Sequence, residues 1–336
     1  MNDSETTRFV WLRADVDRDE AENERTRCVD VRGRVELVDH AVLFNHHQRR
    51  LMQIVRDQAR PGVAVFALHR REGIAGHFWL AATGQLRAGL VGRHGAVDLF
   101  LEDDAELSLR HLLVLVKRKV SGSLVLRIAD LVTPTGFQAE EGGLLRAVEA
   151  NGTLVLRAAS YSLFFVPTGG PLPWDPDAAS PWSTLPPRVP ITEARPSRAH
   201  RLQRREHRDE RTEVRFREGP FGPGPEALLQ PGERVEGQLI ITHGACEERL
   251  AVGARALERG VILGRYSRCA GNTAAVSDDV SRVHAVLLQC DGELHLIDAG
   301  STNGTYRGDQ ELKCEPVQPG CRYRLNRMPV RWEPAH

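Results

Sequence analysis

VSRVHAVLLQCDGELHLIDAGSTNGTYR, residues 280–307, is the stretch whose reading decides the fold. Residues 284–289 and 293–297 are short runs rich in Val, Leu and Ile, the length and composition of strands. Between them lies Asp291-Gly292. Both residues tolerate positive φ, so the pair predicts a two-residue hairpin turn. The second strand runs into Ser301-Thr302-Asn303-Gly304-Thr305, a loop composition.

Working outward, residues 238–242, 249–252, 261–264 and 323–327 also read as strands bounded by Gly, Asp and Asn. Many short strands at regular spacing predict a β-sandwich. One helix is expected, over residues 45–58. Asn45 would cap it, Leu51, Ile54 and Val55 share a face, and Pro61 follows its end.

The same pattern occurs twice. LVGRHG at 90–95 lies over ILGRYS at 262–267, LSLRHLLVL at 107–115 over VSRVHAVLL at 280–288, and ADLVTPTGF at 129–137 over IDAGSTNGT at 297–305. The order is conserved and the first interval is nearly equal. The last interval is longer in the first copy, and the extra residues fall near Lys117 to Ser123, where a hairpin loop can absorb them. The expected architecture is all-β, two sandwiches in tandem. An N-terminal extension with strands and the helix occupies 1–60, the first sandwich 61–168, a Pro/Gly/Arg-rich linker 169–234 and the second sandwich 235–332. The linker assignment rests on the prolines from Pro167 to Pro196 and on the mixed Arg and Glu of 195–218, a composition poor in buriable apolar surface.

The 336 residues carry 45 basic and 45 acidic side chains, a balance that draws the whole chain toward neither nucleic acid nor an anionic membrane. No apolar run approaches the roughly 20 residues of a membrane span, and the N-terminus does not read as a signal peptide. Six scattered cysteines without a CxxC pair fit a reducing cytoplasm. Asp15, Asp17 and Asp19 lack the Gly and Glu of a calcium loop, and His40, His46 and His47 read as surface groups, so no metal is expected. No nucleophile elbow, phosphate loop or zinc-protease motif is present, and neither an enzyme nor a cofactor is indicated.

Three motifs of the second copy, Gly264-Arg265, Ser281-Arg282-Val283-His284 and Ser301 to Thr305, together resemble the forkhead-associated (FHA) family. The resemblance implies an eleven-stranded sandwich whose loops at one end grip a phosphothreonine peptide. Its partners would be phosphothreonine-containing proteins, among them a Ser/Thr kinase or its substrates, with no membrane and no nucleic acid required. The chemistry of the residues agrees. A phosphothreonine presents close to two negative charges and three acceptor oxygens. The planar guanidinium of Arg265 can hold two of them at once, and Ser281 adds a hydroxyl. By resemblance Arg282 and Thr302 assist at the phosphate. The Asn303 amide offers donors and an acceptor to peptide backbone. Gly264 and Gly304 permit tight backbone beside the ligand, and His284 braces the loops as a structural residue.

The first copy keeps Arg93, Ser108 and His111. Leu109 replaces Arg282, and Thr135 replaces Asn303. It is a weaker second site through Arg93 and Ser108, a dock for something else, or a structural support for the second copy. Thr6 and Thr7 resemble the phosphoacceptor threonines that small bacterial FHA regulators carry ahead of their domain. Two other functions stay open at this stage: a phosphate-independent scaffold of a multiprotein complex, and a nucleic-acid-associated regulator using the arginines of 195–217.

Overall fold

The computed structural model describes residues 7–12, 27–32, 39–69, 73–102, 104–140, 142–190, 212–217, 227–243, 246–270 and 279–335. Strands β1 (Thr7–Leu12) and β2 (Arg27–Arg32) form an antiparallel pair ahead of helix α1 (His40–Asp57). The first sandwich follows as β3 (Gly62–His69), β4 (Gly73–Ala81), β5 (Arg87–Gly92), β6 (Leu99–Phe100), β7 (Leu112–Arg118) and β8 (Leu124–Asp130). It continues through β9 (Phe137–Ala139), β10 (Leu144–Leu145), β11 (Ala147–Ala150), β12 (Leu154–Ala158), β13 (Tyr161–Thr168), β14 (Arg188–Pro190) and β15 (Thr212–Arg217). A six-stranded sheet, β10-β9-β12-β13-β3-β4, faces a seven-stranded one, β14-β15-β11-β8-β7-β5-β6.

The second sandwich comprises β16 (Val235–His243), β17 (Cys246–Gly253), helix α2 (Ala254–Arg259), β18 (Val261–Leu263), β19 (Ala285–Cys290) and β20 (Glu293–Asp298). Then come β21 (Thr305–Arg307), β22 (Gln310–Leu312), β23 (Cys314–Pro316), β24 (Arg322–Leu325) and β25 (Met328–Pro334). Its sheets are β17-β16-β25-β24-β21-β22 and β18-β19-β20-β23. The chain is therefore two tandem β-sandwiches. Asp291 and Gly292 turn at φ 54° and 80°, as their hairpin demands. The described residues of the second sandwich hold ten strands. Where the first copy pairs β5 with β6 in parallel, the second has a single parallel bridge, Leu263 to Ala270.

Side-chain alternation explains why several strands are apolar on both faces. In β3, Val63, Val65 and Ala67 enter the sandwich core, while Ala64, Phe66 and Leu68 point the other way, beneath α1. In β7, Leu112, Val114 and Val116 enter the core. Leu113 and Leu115 instead join a separate apolar layer with Val283, Val286, Leu288 and Ile297 of the second sandwich. In β19, Ala285 and Leu287 line the second core and Val286 and Leu288 this layer. A sheet face that reads continuously apolar must be covered. Here the two sandwiches cover each other, outer face to outer face. At the rim Lys117 Nζ lies 2.7 Å from Glu293 Oε2 and 3.7 Å from Asp291, and Arg127 Nη1 donates to the Gln289 carbonyl over 3.3 Å.

Two expectations need correction. The helix starts at His40, not Asn45, because Asp39 caps it by accepting from the Ala41 N–H over 2.8 Å. Asn45 lies within the helix and its amide holds a later segment, accepting from the Trp182 N–H over 2.9 Å. That segment belongs to the stretch read as linker. Residues 169–190 fold back onto α1, where Trp174 is buried with its ring 5.2 Å from that of Phe44. Strand β15 pairs with β11, and Val214 enters the first core. Prolines suggest a free connector, but two tryptophans and the alternating TEVRF had an apolar surface to cover. At the other end of the stretch Leu228 packs on the second core, and its carbonyl accepts from the Gly253 N–H over 2.8 Å. Most of the Arg/Glu-rich stretch, residues 191–211, lies outside the described residues.

Candidate phosphopeptide-binding site

The loops that leave β18, enter β19 and join β20 to β21 meet at one end of the second sandwich. The Arg265 N–H donates to the Ser281 carbonyl over 3.2 Å and the Tyr266 N–H to the Arg282 carbonyl over 3.0 Å. Gly264 makes this approach possible, since a Cβ there would collide with the Arg282 carbonyl. Across the gap, the Thr302 N–H donates to Ser281 Oγ over 3.0 Å, and the two hydroxyls lie 3.5 Å apart. Arg265, Ser281, Thr302 and Asn303 are thus brought together, with Arg282 exposed beside them.

Two of these side chains differ in condition. Arg265 is half-buried, and its Nε has no hydrogen-bond partner among the described residues. A buried donor left unmatched costs about 1–3 kcal/mol. Asn303 already uses a donor within its own chain, from Nδ2 to the Asp279 carbonyl over 2.8 Å. The sequence reading directed the whole amide at a peptide, whereas one end of it fastens the neighbouring loop.

Beneath the loops sits His284, fully buried. Its Nδ1 accepts the Ser281 N–H over 3.1 Å, which leaves Nε2 as the protonated nitrogen, 3.0 Å from the Gly304 carbonyl. Burial holds the imidazole below its ordinary pKa and keeps it neutral, as this pair of bonds requires. Gly304 turns at φ 75°, a conformation that favours glycine.

Sequence reasoning missed Asp298. Its buried carboxylate accepts from the Ser301 N–H over 2.9 Å, from Ser301 Oγ over 2.6 Å and from Thr305 Oγ1 over 2.6 Å, shaping the loop from inside. The available signal was the aspartate at matching places in the repeat, Asp130 and Asp298.

The first sandwich repeats the centre of this scaffold. The Arg93 N–H donates to the Ser108 carbonyl over 3.1 Å, Ser108 N–H to His111 Nδ1 over 3.1 Å, and His111 Nε2 lies 2.7 Å from the Gly136 carbonyl. Asp130 is bonded by Thr133 as Asp298 is by Ser301. The Arg93 Nε, unlike that of Arg265, donates to the Leu107 carbonyl over 2.9 Å. Thr6 lies outside the described residues, and Thr7 begins β1 opposite Arg32. Among the described residues no cluster of side chains could hold a metal, and no helix is long and apolar enough to cross a membrane.

Residues 261–326 match the family model of the FHA domain. No curated protein matches the chain. Among solved structures it is similar to the first FHA domain of Rv1747 from Mycobacterium tuberculosis, with 21% identity over 29% of this chain and 98% of that one, TM-score 0.24. It is similar also to the Slr1951 protein of Synechocystis sp., with 25% identity over 30% of this chain and 100% of that one, TM-score 0.26. A third is EmbR of Mycobacterium tuberculosis in complex with a low-affinity phosphopeptide, with 16% identity over 32% of this chain and 27% of that one, TM-score 0.25. The family match therefore falls within the C-terminal sandwich, on an FHA domain at residues 261–326.

Proposed function

We propose that the second sandwich binds phosphothreonine-containing segments of partner proteins at the Arg265, Ser281, Thr302 and Asn303 cradle, and that the chain is an adaptor and not an enzyme. The observation that carries this reading is the joining of the loops: the Arg265 N–H bonds the Ser281 carbonyl and the Thr302 N–H bonds Ser281 Oγ, so that an arginine whose Nε lacks an acceptor and two hydroxyls stand on adjoining loops. A phosphate dianion supplies acceptors for all three. Hydrogen bonds to a charged group are worth about 1.5–3 kcal/mol each, and two or three of them give a phosphate-dependent but reversible contact. Arg282 adds positive potential, and Asn303 can still offer its oxygen to a peptide. The partners are then proteins phosphorylated on threonine by a cytoplasmic Ser/Thr kinase. The first sandwich is the poorer site, since its arginine Nε already has an acceptor and Thr135 stands in the place of Asn303.

A phosphothreonine-peptide library, read by fluorescence anisotropy against the full chain, tests this. The expected result is selection of a subset of phosphothreonine peptides, lost on dephosphorylation and lost in Arg265→Ala. Partners retained equally without phosphate would instead favour a phosphate-independent scaffold.

A further inference from the structure

The two copies differ in how they handle the buried aspartate under the loop. In the first, Arg146 sits on the strand directly opposite Asp130, whose N–H donates to the Arg146 carbonyl over 2.8 Å. The Arg146 Nη1 reaches Asp130 Oδ2 at 2.6 Å and the Thr133 carbonyl at 2.6 Å. One guanidinium therefore neutralises the carboxylate and ties down the loop that it shapes. At the equivalent place in the second copy stands Lys313, whose carbonyl accepts from the Asp298 N–H over 2.9 Å. Its side chain is 80% exposed, 3.8 Å from Glu311, and does not turn inward. A buried carboxylate left without a counter-charge is costly.

A guanidinium reaches the second copy's loop from the other sandwich instead, at a backbone carbonyl. Arg110 of the first copy, half-buried in the layer between the domains, donates through Nε to the Gly300 carbonyl over 2.8 Å, and its Nη2 donates to the same oxygen. Burial holds the Arg110 guanidinium below its ordinary pKa, and the negative charge of Asp298 partly offsets this. Gly300 turns at φ 70°, and a Cβ there would lie 3.4 Å from the Arg110 Nε and 3.0 Å from Leu90 Cδ1. Glycine keeps this approach open.

We propose that Arg110 is a positioning residue for the phosphopeptide site of the second sandwich. It holds the 299–304 loop across the domain interface through the Gly300 carbonyl, where Arg146 holds the matching loop from within the first sandwich through the Thr133 carbonyl. Thr302 and Asn303 stand on the loop that it holds. The degenerate copy is in this view a working part of the binding site. Its guanidinium acts one loop behind the phosphate, beside Arg282. The proposal rests on the phosphopeptide reading given above for its ligand, but not for its structural content.

The test uses the full chain and the phosphothreonine peptide that the library selects, with two readouts: affinity by anisotropy, and amide hydrogen exchange of the segment containing 299–304. Arg110→Ala is expected to weaken binding about tenfold, the order expected for losing one charge-assisted contact, and to speed exchange in that segment. Adding Lys313→Arg to Arg110→Ala restores the guanidinium from within the second sandwich, and should recover both. Glu293→Ala cuts the interface ion pair with Lys117, remote from the loop, and should leave both unchanged. Unaltered affinity and exchange in Arg110→Ala overturns the proposal. So does a loss that Lys313→Arg fails to recover, or an equal loss in Glu293→Ala. If the wild type selects no phosphothreonine peptide, the functional reading falls, while the exchange measurements still decide the role of Arg110.

Discussion

His284 lies beneath the loops at one end of the second sandwich with its Nε2 3.0 Å from the Gly304 carbonyl, joining the strand that follows Ser281 to the loop that carries Asn303. Because Nδ1 takes the Ser281 N–H, one neutral ring satisfies a donor and an acceptor that have no water to turn to. His284→Ala is expected to leave both unmatched, at about 1–3 kcal/mol each. Urea unfolding should show the loss, and peptide affinity should fall with it because Ser281 and Gly304 are no longer fixed. Unchanged stability would mean that the two loops hold together without the ring.

Stability should also depend on pH, and the sign follows from the histidines. Burial lowers the pKa of His284 and His111, and that of His40 to about 4. In each case the folded value lies below the unfolded one of about 6.5. The unfolded chain therefore takes up protons first as the pH falls. The neutral-histidine contribution is complete above about pH 7 and declines from there toward the folded values. Burial pushes the Asp130 and Glu106 carboxyls upward, which opposes the trend. Thermal melts between pH 7.5 and 5.5 should show a falling Tm. His40→Gln should flatten the slope, and a flat wild-type profile would contradict the neutral, buried state of these rings.

The layer between the sandwiches makes a third prediction. Val286 is buried there against the first domain, pointing away from its own core. A carboxylate at that place cannot be accommodated without water, so Val286→Asp should separate the sandwiches while each keeps its own core. Small-angle scattering should report a larger radius of gyration, and limited proteolysis earlier cutting between the domains. The Arg110 contact to Gly300 would be lost as well, so affinity for the phosphothreonine peptide should fall in parallel.

Much of the site was readable because its determinants are local. Gly264-Arg265, the Ser281 to His284 motif and the Ser301 to Thr305 loop each carry their own turn chemistry, and the repeat showed that one scaffold was used twice. The helix start was misread because Asn45 and Asp39 are both acceptable caps by type. Only the contact of Asn45 with Trp182 distinguishes them. Residues 169–190 were misread because proline-rich composition says nothing of the apolar face that α1 and β3 leave to be covered.

By itself the amino-acid order determined two sandwiches, the hairpin at Asp291-Gly292 and the set of side chains that gather at one end of the second sandwich. These follow from periods of two and from turn residues, which act over a few positions. Tertiary structure alone decided that the sheets pack outer face to outer face, that Lys313 turns away from Asp298, and that Arg110 takes up the Gly300 carbonyl from 190 residues away. Such pairings depend on two complete surfaces fitting together, and no local pattern encodes which surface the other will meet.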